Sequence, residues 1–62
     1  MAENILTLEE VAKRLRVSER TILRLLKQQR IKGYKVGRAW RFEPTDVEEY
    51  VQHQRKEAEH AA

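Results

Sequence analysis

The sequence predicts a small domain that is mostly α-helical and carries one β-hairpin. Residues 8–15 and 19–29 repeat apolar side chains with the spacing of a helix, and a very short connection separates the two stretches. Residues 34–42 instead alternate with period two on both sides of Gly37. A period that changes from 3.6 to two along one chain indicates helices followed by a hairpin.

The first helix begins at a capping box. The Thr7 hydroxyl can accept from the Glu10 amide while the Glu10 carboxylate reaches back to the Thr7 amide. One apolar face then follows at spacings of three and four, with Leu8, Val11, Ala12 and Leu15. We therefore predict a helix over residues 8–15, with Lys13 and Arg14 on its exposed side.

A second helix follows almost at once. Only Arg16 and Val17 precede Ser18, which is a favourable N-cap residue, so the two helices must turn sharply as in a helix-turn-helix. We predict the second helix over about residues 19–29. Its apolar side holds Ile22, Leu25, Leu26 and Gln29. Its opposite side holds three bases within about 60° of arc, Arg20, Arg24 and Lys27.

The alternating stretch predicts a hairpin. A three-residue loop over residues 37–39 would pair Val36 with Trp40 and Tyr34 with Phe42, so that all four apolar side chains share one buried face. A two-residue loop would divide them between two faces, so we favour the longer loop.

The same register has consequences for the charged residues of the hairpin. It places Lys35 opposite Arg41 on the open face, where like charges repel each other unless an anion binds. It leaves Arg38 exposed at the tip. Trp40 and Phe42 could stack on nucleic-acid bases, but the face they share with other apolar residues favours a place in the core.

A last helix is predicted from Pro44, which marks a break, and from a second capping box formed by Thr45 and Glu48. Its short apolar face holds Val47, Tyr50 and Val51. No apolar stripe follows, so we expect the helix to fray beyond Lys56. The expected organisation is one domain over residues 5–56 with a frayed or disordered tail over 57–62.

The charges are strongly segregated. Between Val11 and Phe42 there are eleven bases and one acid, whereas residues 1–12 hold three acids and no base and residues 43–62 hold six acids and two bases. The formal net charge of +3 therefore hides a central segment of about +10. Such a segment favours a polyanion as partner, because neutralising phosphates releases condensed counterions.

Composition excludes several classes of function. The chain has no cysteine and no apolar run long enough to span a bilayer, and we expect a cytoplasmic location. His53 and His60 lack the neighbours of a metal site, so no metal or other cofactor is expected. A chain of 62 residues can hardly enclose a catalytic cleft, and no nucleophile lies beside a base, so we expect no enzyme.

Three phrases in this order and spacing carry a resemblance: LEEVA at residues 8–12, VSERTI at 17–22 and KVGRAWRF at 35–42. Over residues 5–52 the chain resembles the excisionase-type DNA-binding domains, small winged helix-turn-helix modules related to the DNA-binding half of MerR-like regulators. The resemblance implies a wing over residues 34–42 that touches the backbone or minor groove of DNA, while the second helix enters the major groove. It also implies a directionality factor of recombination or a transcriptional regulator.

Candidate contacts to double-stranded DNA follow from this placement. Arg20, Thr21 and Arg24 lie on the first two turns of the second helix, where base edges are usually read. Arg38 at the wing tip suits a narrow minor groove. Phosphate contacts are expected from Lys13 and from several of the remaining candidates. The complete candidate set is Arg14, Ser18, Arg20, Thr21, Arg24, Lys27, Lys35, Arg38 and Arg41.

Alternatives to a DNA-binding module stay open. Winged helix folds also bind other proteins, and the acidic C-terminal segment could dock a recombinase or another basic protein. RNA binding ranks lower, because it usually needs exposed aromatic residues and the large aromatics here are assigned to the core. We expect a monomer in free solution, whose specificity requires cooperative binding at adjacent DNA sites or a larger partner.

Overall fold

The computed structural model describes residues 4–61, and side chains up to residue 59. The elements in chain order are β1 (Leu6–Thr7), α1 (Leu8–Leu15), α2 (Glu19–Lys27), β2 (Tyr34–Val36), β3 (Ala39–Phe42) and α3 (Pro44–Ala61). The mostly helical fold with a small antiparallel hairpin is confirmed, and its layout is that of a winged helix-turn-helix.

Helix α1 has the predicted bounds and the predicted cap. The Thr7 amide donates to Glu10 Oε1 at 2.9 Å, and the Glu10 amide donates to Thr7 Oγ1 at 3.1 Å. Both orphan donors at the helix start are thus satisfied by local sequence. The face that turns inward carries Val11 and Ala12, which are buried.

The turn after α1 contains one residue in the left-handed helical conformation. Arg16 has φ 60°, and its amide donates to the Lys13 carbonyl at 3.2 Å. The next amide, that of Val17, donates to the Ala12 carbonyl at 3.0 Å. These two bonds form a Schellman motif, which normally places glycine where Arg16 stands.

Helix α2 begins as predicted, with the Ser18 hydroxyl accepting from the Thr21 amide at 3.1 Å. It ends at Lys27, two residues before the predicted end at Gln29. Gln29 has φ 59° and Arg30 donates its amide to the Leu25 carbonyl at 2.9 Å, so a second Schellman motif stops the helix. Gln29 is therefore exposed and does not belong to the apolar face.

The predicted register of the hairpin is wrong. Tyr34 pairs with Arg41, Lys35 with Trp40 and Val36 with Ala39, which leaves a loop of two residues, Gly37 and Arg38. Gly37 has φ 64° whereas Arg38 does not have a positive φ. A glycine with positive φ at the first loop position is the requirement of a type II′ hairpin turn.

The shorter loop divides the apolar side chains between two faces. Trp40 and Phe42 face the core, whereas Tyr34 is 38% exposed and Val36 is 57% exposed on the other face. The placement of Tyr34 in the core was thus wrong. Lys35 does not face Arg41 either, because its partner is Trp40.

The Phe42 ring packs against a glycine. A Cβ on Gly33 would come within 2.7 Å of Phe42 Cε2 and 3.1 Å of Leu26 Cδ2. The Phe42 ring therefore occupies the space that a side chain at position 33 would need. Phe42 would face the core in either register. The register is set by the turn, because Gly37 at φ 64° closes a two-residue loop, and the alternation of side chains does not specify the loop length.

A third strand joins the hairpin. Leu6 pairs with Phe42 and Thr7 with Arg41, so that the sheet order is β1-β3-β2, all antiparallel. The sequence did not predict β1, because two residues show no periodicity. Since β1 leads directly into α1, the pairing ties the wing to the first helix.

Helix α3 differs from its prediction at both ends. It begins at Pro44, and the amides of Asp46 and Val47 donate to the Glu43 carbonyl, so Thr45 is not its N-cap. Proline suits the first helical position, since its missing donor would be unpaired there anyway.

At its other end α3 continues to Ala61, past Lys56 where fraying was expected. Residues 52–59 are mostly good helix formers, which favours the continuation without an apolar stripe. Residue 62 of the expected tail lies outside the described residues.

We predict that Gln29→Gly raises the free energy of unfolding by about 0.5–1 kcal/mol, because glycine adopts a positive φ without strain. Gln28 is the matched control: it is the same residue type, also exposed, but has φ −82°. Gln28→Gly should lower stability by about 0.5–1 kcal/mol. Urea unfolding followed by circular dichroism measures both, and changes of the same sign would contradict the prediction.

We also predict that Gly33→Ala lowers the free energy of unfolding by about 1–3 kcal/mol, because the added methyl overpacks the core against the Phe42 ring. The variant Phe42→Leu, which removes the ring, tests the cause. In the double variant the cost of Gly33→Ala should be smaller than in the wild type. Equal costs in both backgrounds would show that the methyl does not act through Phe42.

Candidate nucleic-acid interface

The central feature of the surface is a basic face on α2, formed by Arg20, Arg24 and Lys27. All three side chains are exposed, whereas Ile22 and Leu25 on the opposite side of the helix are buried. The apolar side packs the helix onto the domain, so the basic face necessarily turns outward. Among the described residues, none of the three bases forms an ion pair, which leaves their charge available to an anion.

The start of α2 is a hydroxyl cluster. Ser18 Oγ and Thr21 Oγ1 lie 3.0 Å apart, and Ser18 also accepts from the Thr21 amide. Thr21 is half-buried and Ser18 is exposed. The cap accounts for both residue types, and it places them beside Arg20 at the positive end of the helix dipole.

The wing carries three bases in different settings. Arg38 is exposed at the tip, next to Gly37. Lys35 places Nζ 5.5 Å from the centroid of the Trp40 ring, a cation–π contact on the face that turns toward the core. Arg41 is half-buried and donates from Nη1 to the Trp40 carbonyl at 3.0 Å. Lys35 and Arg41 therefore lie on opposite faces of the hairpin.

Tyr34 shares the open face of the wing with Arg41. Its hydroxyl donates to Glu43 Oε2 at 3.1 Å. Partial desolvation and the Glu43 carboxylate raise the pKa of Tyr34 above its ordinary value. The phenol therefore stays neutral and able to donate at physiological pH.

Of the two bases on the last turn of α1, Arg14 lies apart from this surface. Lys13 and Arg14 are both exposed on the last turn of the helix. Arg14 lines a shallow groove together with Glu10, Leu6 and Pro44, beside β1 and the start of α3. The structure thus does not place Arg14 with the basic face of α2.

Two further bases are paired with acids of α3. Arg30 Nη2 lies 3.8 Å from Glu57 Oε1 and donates to Gln54 Oε1 at 3.2 Å. Lys32 Nζ lies 3.8 Å from Glu49 Oε1. Each partner is largely exposed, so each pair stabilises the fold by at most about 1 kcal/mol. The pairs nevertheless offset part of the positive charge between α2 and the wing.

A groove separates α2 from the wing. It has a volume of about 380 Å³ and is lined by Leu26, Gln29, Ile31, Lys32, Gly33 and Trp40. Leu26 and Trp40 are half-buried and pack against the core. The face of the hairpin that carries Trp40 and Lys35 therefore turns toward α2.

Sequence reasoning missed the exposed apolar residues of this side of the molecule. Leu23 on α2 is 42% exposed, and Val17 in the turn is 39% exposed. Leu23 follows Arg20 by three residues and precedes Lys27 by four, a spacing that puts it on the exposed half of the helix. That spacing was visible in the sequence, although a leucine in a helix is usually assigned to the core.

The part of the chain that the structure describes lacks two kinds of feature. It contains no group of three or more His, Cys, Asp or Glu side chains that could hold a metal ion. None of its helices is long and apolar enough to cross a bilayer.

Comparison with known proteins gives a match to a family model. Residues 5–55 match the model of a family described as a helix-turn-helix domain, which is the excisionase-type family. The match covers α1, α2, the wing and more than half of α3. Neither the curated proteins nor the solved structures gave a match.

Proposed function

The chain belongs to this helix-turn-helix domain family, and we propose that it binds double-stranded DNA in a sequence-specific manner through α2 and the wing. Family membership indicates DNA binding. The observation that carries the finer proposal is the basic face of α2, which is exposed, free of ion pairs among the described residues and opposite the buried side of the helix.

In this proposal α2 enters the major groove. Arg20 and Arg24 lie on its first two turns, where side chains usually reach base edges. An arginine that donates to both O6 and N7 of guanine discriminates by about 1–3 kcal/mol. Thr21 is half-buried and tied to Ser18, so we assign base reading mainly to the two arginines and assign Ser18 and Thr21 to the helix start near a phosphate.

The wing then follows the DNA beside α2. Arg38 at the tip is proposed to enter the minor groove, whose narrow form attracts arginine. Lys35 is proposed to contact a phosphate, because it lies on the hairpin face that turns toward α2. Arg41 lies on the other face, so we assign it a smaller contribution.

The remaining candidates are proposed phosphate contacts. Lys27 continues the basic face, and Lys13 and Arg14 lie at the end of α1. Such contacts position a protein on the duplex without carrying sequence information. Arg14 is the weakest of them, since Glu10 lines the same groove.

The biological setting proposed is that of a small MerR-like regulator of transcription or a directionality factor of excisive recombination. The free chain is proposed to be a monomer. Because one helix and one wing cover few base pairs, copies are proposed to bind cooperatively at adjacent sites. The acids of α3, such as Glu48 and Glu59, offer a surface to a basic partner such as a recombinase.

A second candidate function is a protein-interaction module without direct DNA contact. The observation that favours it is the open face of the wing, where Val36 is 57% exposed and Tyr34 is 38% exposed. Protein interfaces commonly use such apolar and aromatic anchors. We rank it second because the basic face of α2 has no function in that reading.

Fluorescence anisotropy with a labelled duplex at several salt concentrations tests the DNA-binding proposal. The logarithm of the binding constant should fall with log salt by about 0.9 per phosphate contact. On a duplex selected for tight binding, Arg20→Ala or Arg24→Ala should cost about 1–3 kcal/mol. Arg38→Ala should also weaken binding. Absent binding at low salt, or binding that ignores salt, would favour the protein-interaction function.

Arg30→Ala is the matched control for Arg24→Ala. It removes the same charge a short distance along the chain, but Arg30 is already engaged by Glu57 and Gln54. Its effect on DNA affinity should be clearly smaller than that of Arg24→Ala. Equal losses would mean that total charge, and not the basic face of α2, determines binding.

The faces of the wing give a further prediction. Lys35→Met removes the charge but keeps an aliphatic chain over Trp40, and it should weaken DNA binding more than Arg41→Met. Both variants lose one positive charge, so their net charges stay equal. Their dissociation constants on one duplex should be compared at one salt concentration, after thermal unfolding shows that both are folded. A larger loss for Arg41→Met would indicate that the open face of the wing meets the DNA.

A further inference from the structure

Leu23 stands out among the side chains of α2 because it is apolar and yet exposed. It is 42% exposed, whereas Ile22 and Leu25 beside it in the sequence are buried. It does not belong to the buried core or to the half-buried residues packed against that core. The stability of the domain therefore does not account for a leucine at this position.

The surroundings of Leu23 distinguish it from an ordinary exposed leucine. Arg20 precedes it by three residues and Lys27 follows it by four, so Leu23 neighbours both bases on the helix surface. Single exposed apolar residues are common on protein surfaces. In this position, however, the leucine would be pressed against DNA whenever the basic face binds.

The other exposed large apolar residues of the described chain lie elsewhere. Val17 is in the turn before α2, and Tyr34 and Val36 are on the wing. Leu23 is thus the apolar side chain that α2 itself presents on its exposed half. An apolar side chain against phosphates or polar base edges would strip them of water without replacing the lost hydrogen bonds.

We propose that Leu23 contacts the 5-methyl group of a thymine in the major groove, so that the protein prefers a T·A pair at one position of its site. This inference rests on the proposed DNA-binding function. The thymine methyl is the apolar group that base edges display in the major groove, and apolar side chains recognise it there. Its contact with Leu23 buries apolar surface on both partners.

The helix geometry also predicts where this thymine lies. Three residues along an α-helix rise by about 4.5 Å, and successive bases are about 3.4 Å apart. The thymine contacted by Leu23 should therefore lie one or two base steps from the guanine contacted by Arg20. The proposal thus predicts a short G and T pattern within the bound sequence.

The test uses a duplex selected for tight binding and a set of copies in which each thymine in turn is replaced by deoxyuridine. Deoxyuridine pairs as thymine does and lacks only the methyl group. Wild-type protein should bind about fourfold more weakly at one replaced position, the loss expected for one buried methyl. The Leu23→Ala variant should bind the thymine and deoxyuridine copies at that position equally well.

Val36→Ala is the control variant, because it also shortens an exposed apolar side chain, on the wing. Since the thymine methyl lies in the major groove, Val36→Ala should keep the fourfold difference whatever its overall affinity. Leu23→Gln is a second variant, which keeps a long side chain that favours helices but removes its apolar end. It should also lose the affinity difference between the thymine and deoxyuridine copies. Circular dichroism establishes that each variant is folded.

The possible results distinguish a failure of this inference from a failure of the proposed DNA-binding function. Wild-type binding that depends on Arg24 but ignores every deoxyuridine would overturn the role of Leu23 alone. A fourfold difference that persists in folded Leu23→Ala and Leu23→Gln would also overturn it, because another group would then contact the methyl. No binding of wild-type protein at low salt would overturn both the DNA-binding function and the inference.

Discussion

The position of the wing depends on the burial of one side chain, Phe42. It is fully buried at the end of β3, the central strand of the sheet, and it packs where Gly33 leaves room for its ring. On its other side β3 pairs with β1, which continues directly into α1. The packed Phe42 ring and the β1 pairing together join the hairpin to the helices.

Local chemistry explains which parts of the fold the sequence could predict. The Thr7 capping box, the Ser18 cap and the apolar spacing of α1 and α2 act within one or two turns, and the structure confirms them. The hairpin register was predicted wrongly because the alternation of side chains does not specify the loop length, which Gly37 at positive φ sets at two residues. The end of α2 was predicted two residues too late, because Gln29 adopts the left-handed conformation in which glycine is usually expected.

In the candidate site, too, the sequence predicted the features that depend on local periodicity and missed those that depend on distant contacts. The basic face of α2 follows from helical periodicity alone, so the sequence indicated its three bases. The pairing of Arg30 with Glu57 joins residues far apart in the chain, and no local pattern reveals it. Leu23 was missed for another reason: periodicity places it on the exposed half of α2, but its residue type suggests burial.

The acids of α3 shape the electrostatic field of the domain, because two of them pair with Arg30 and Lys32. Ion pairs as exposed as those of Arg30 and Lys32 contribute little to stability, about 0–1 kcal/mol each. Their effect on the electrostatic field is larger, because they offset positive charge behind the end of α2 and leave the basic face and the wing tip unpaired. Under the proposed DNA-binding function, a polyanion is then attracted most strongly to the exposed basic face of α2. In the proposed complex, the acids on the helix that follows the wing would thus narrow the orientations in which a duplex can approach.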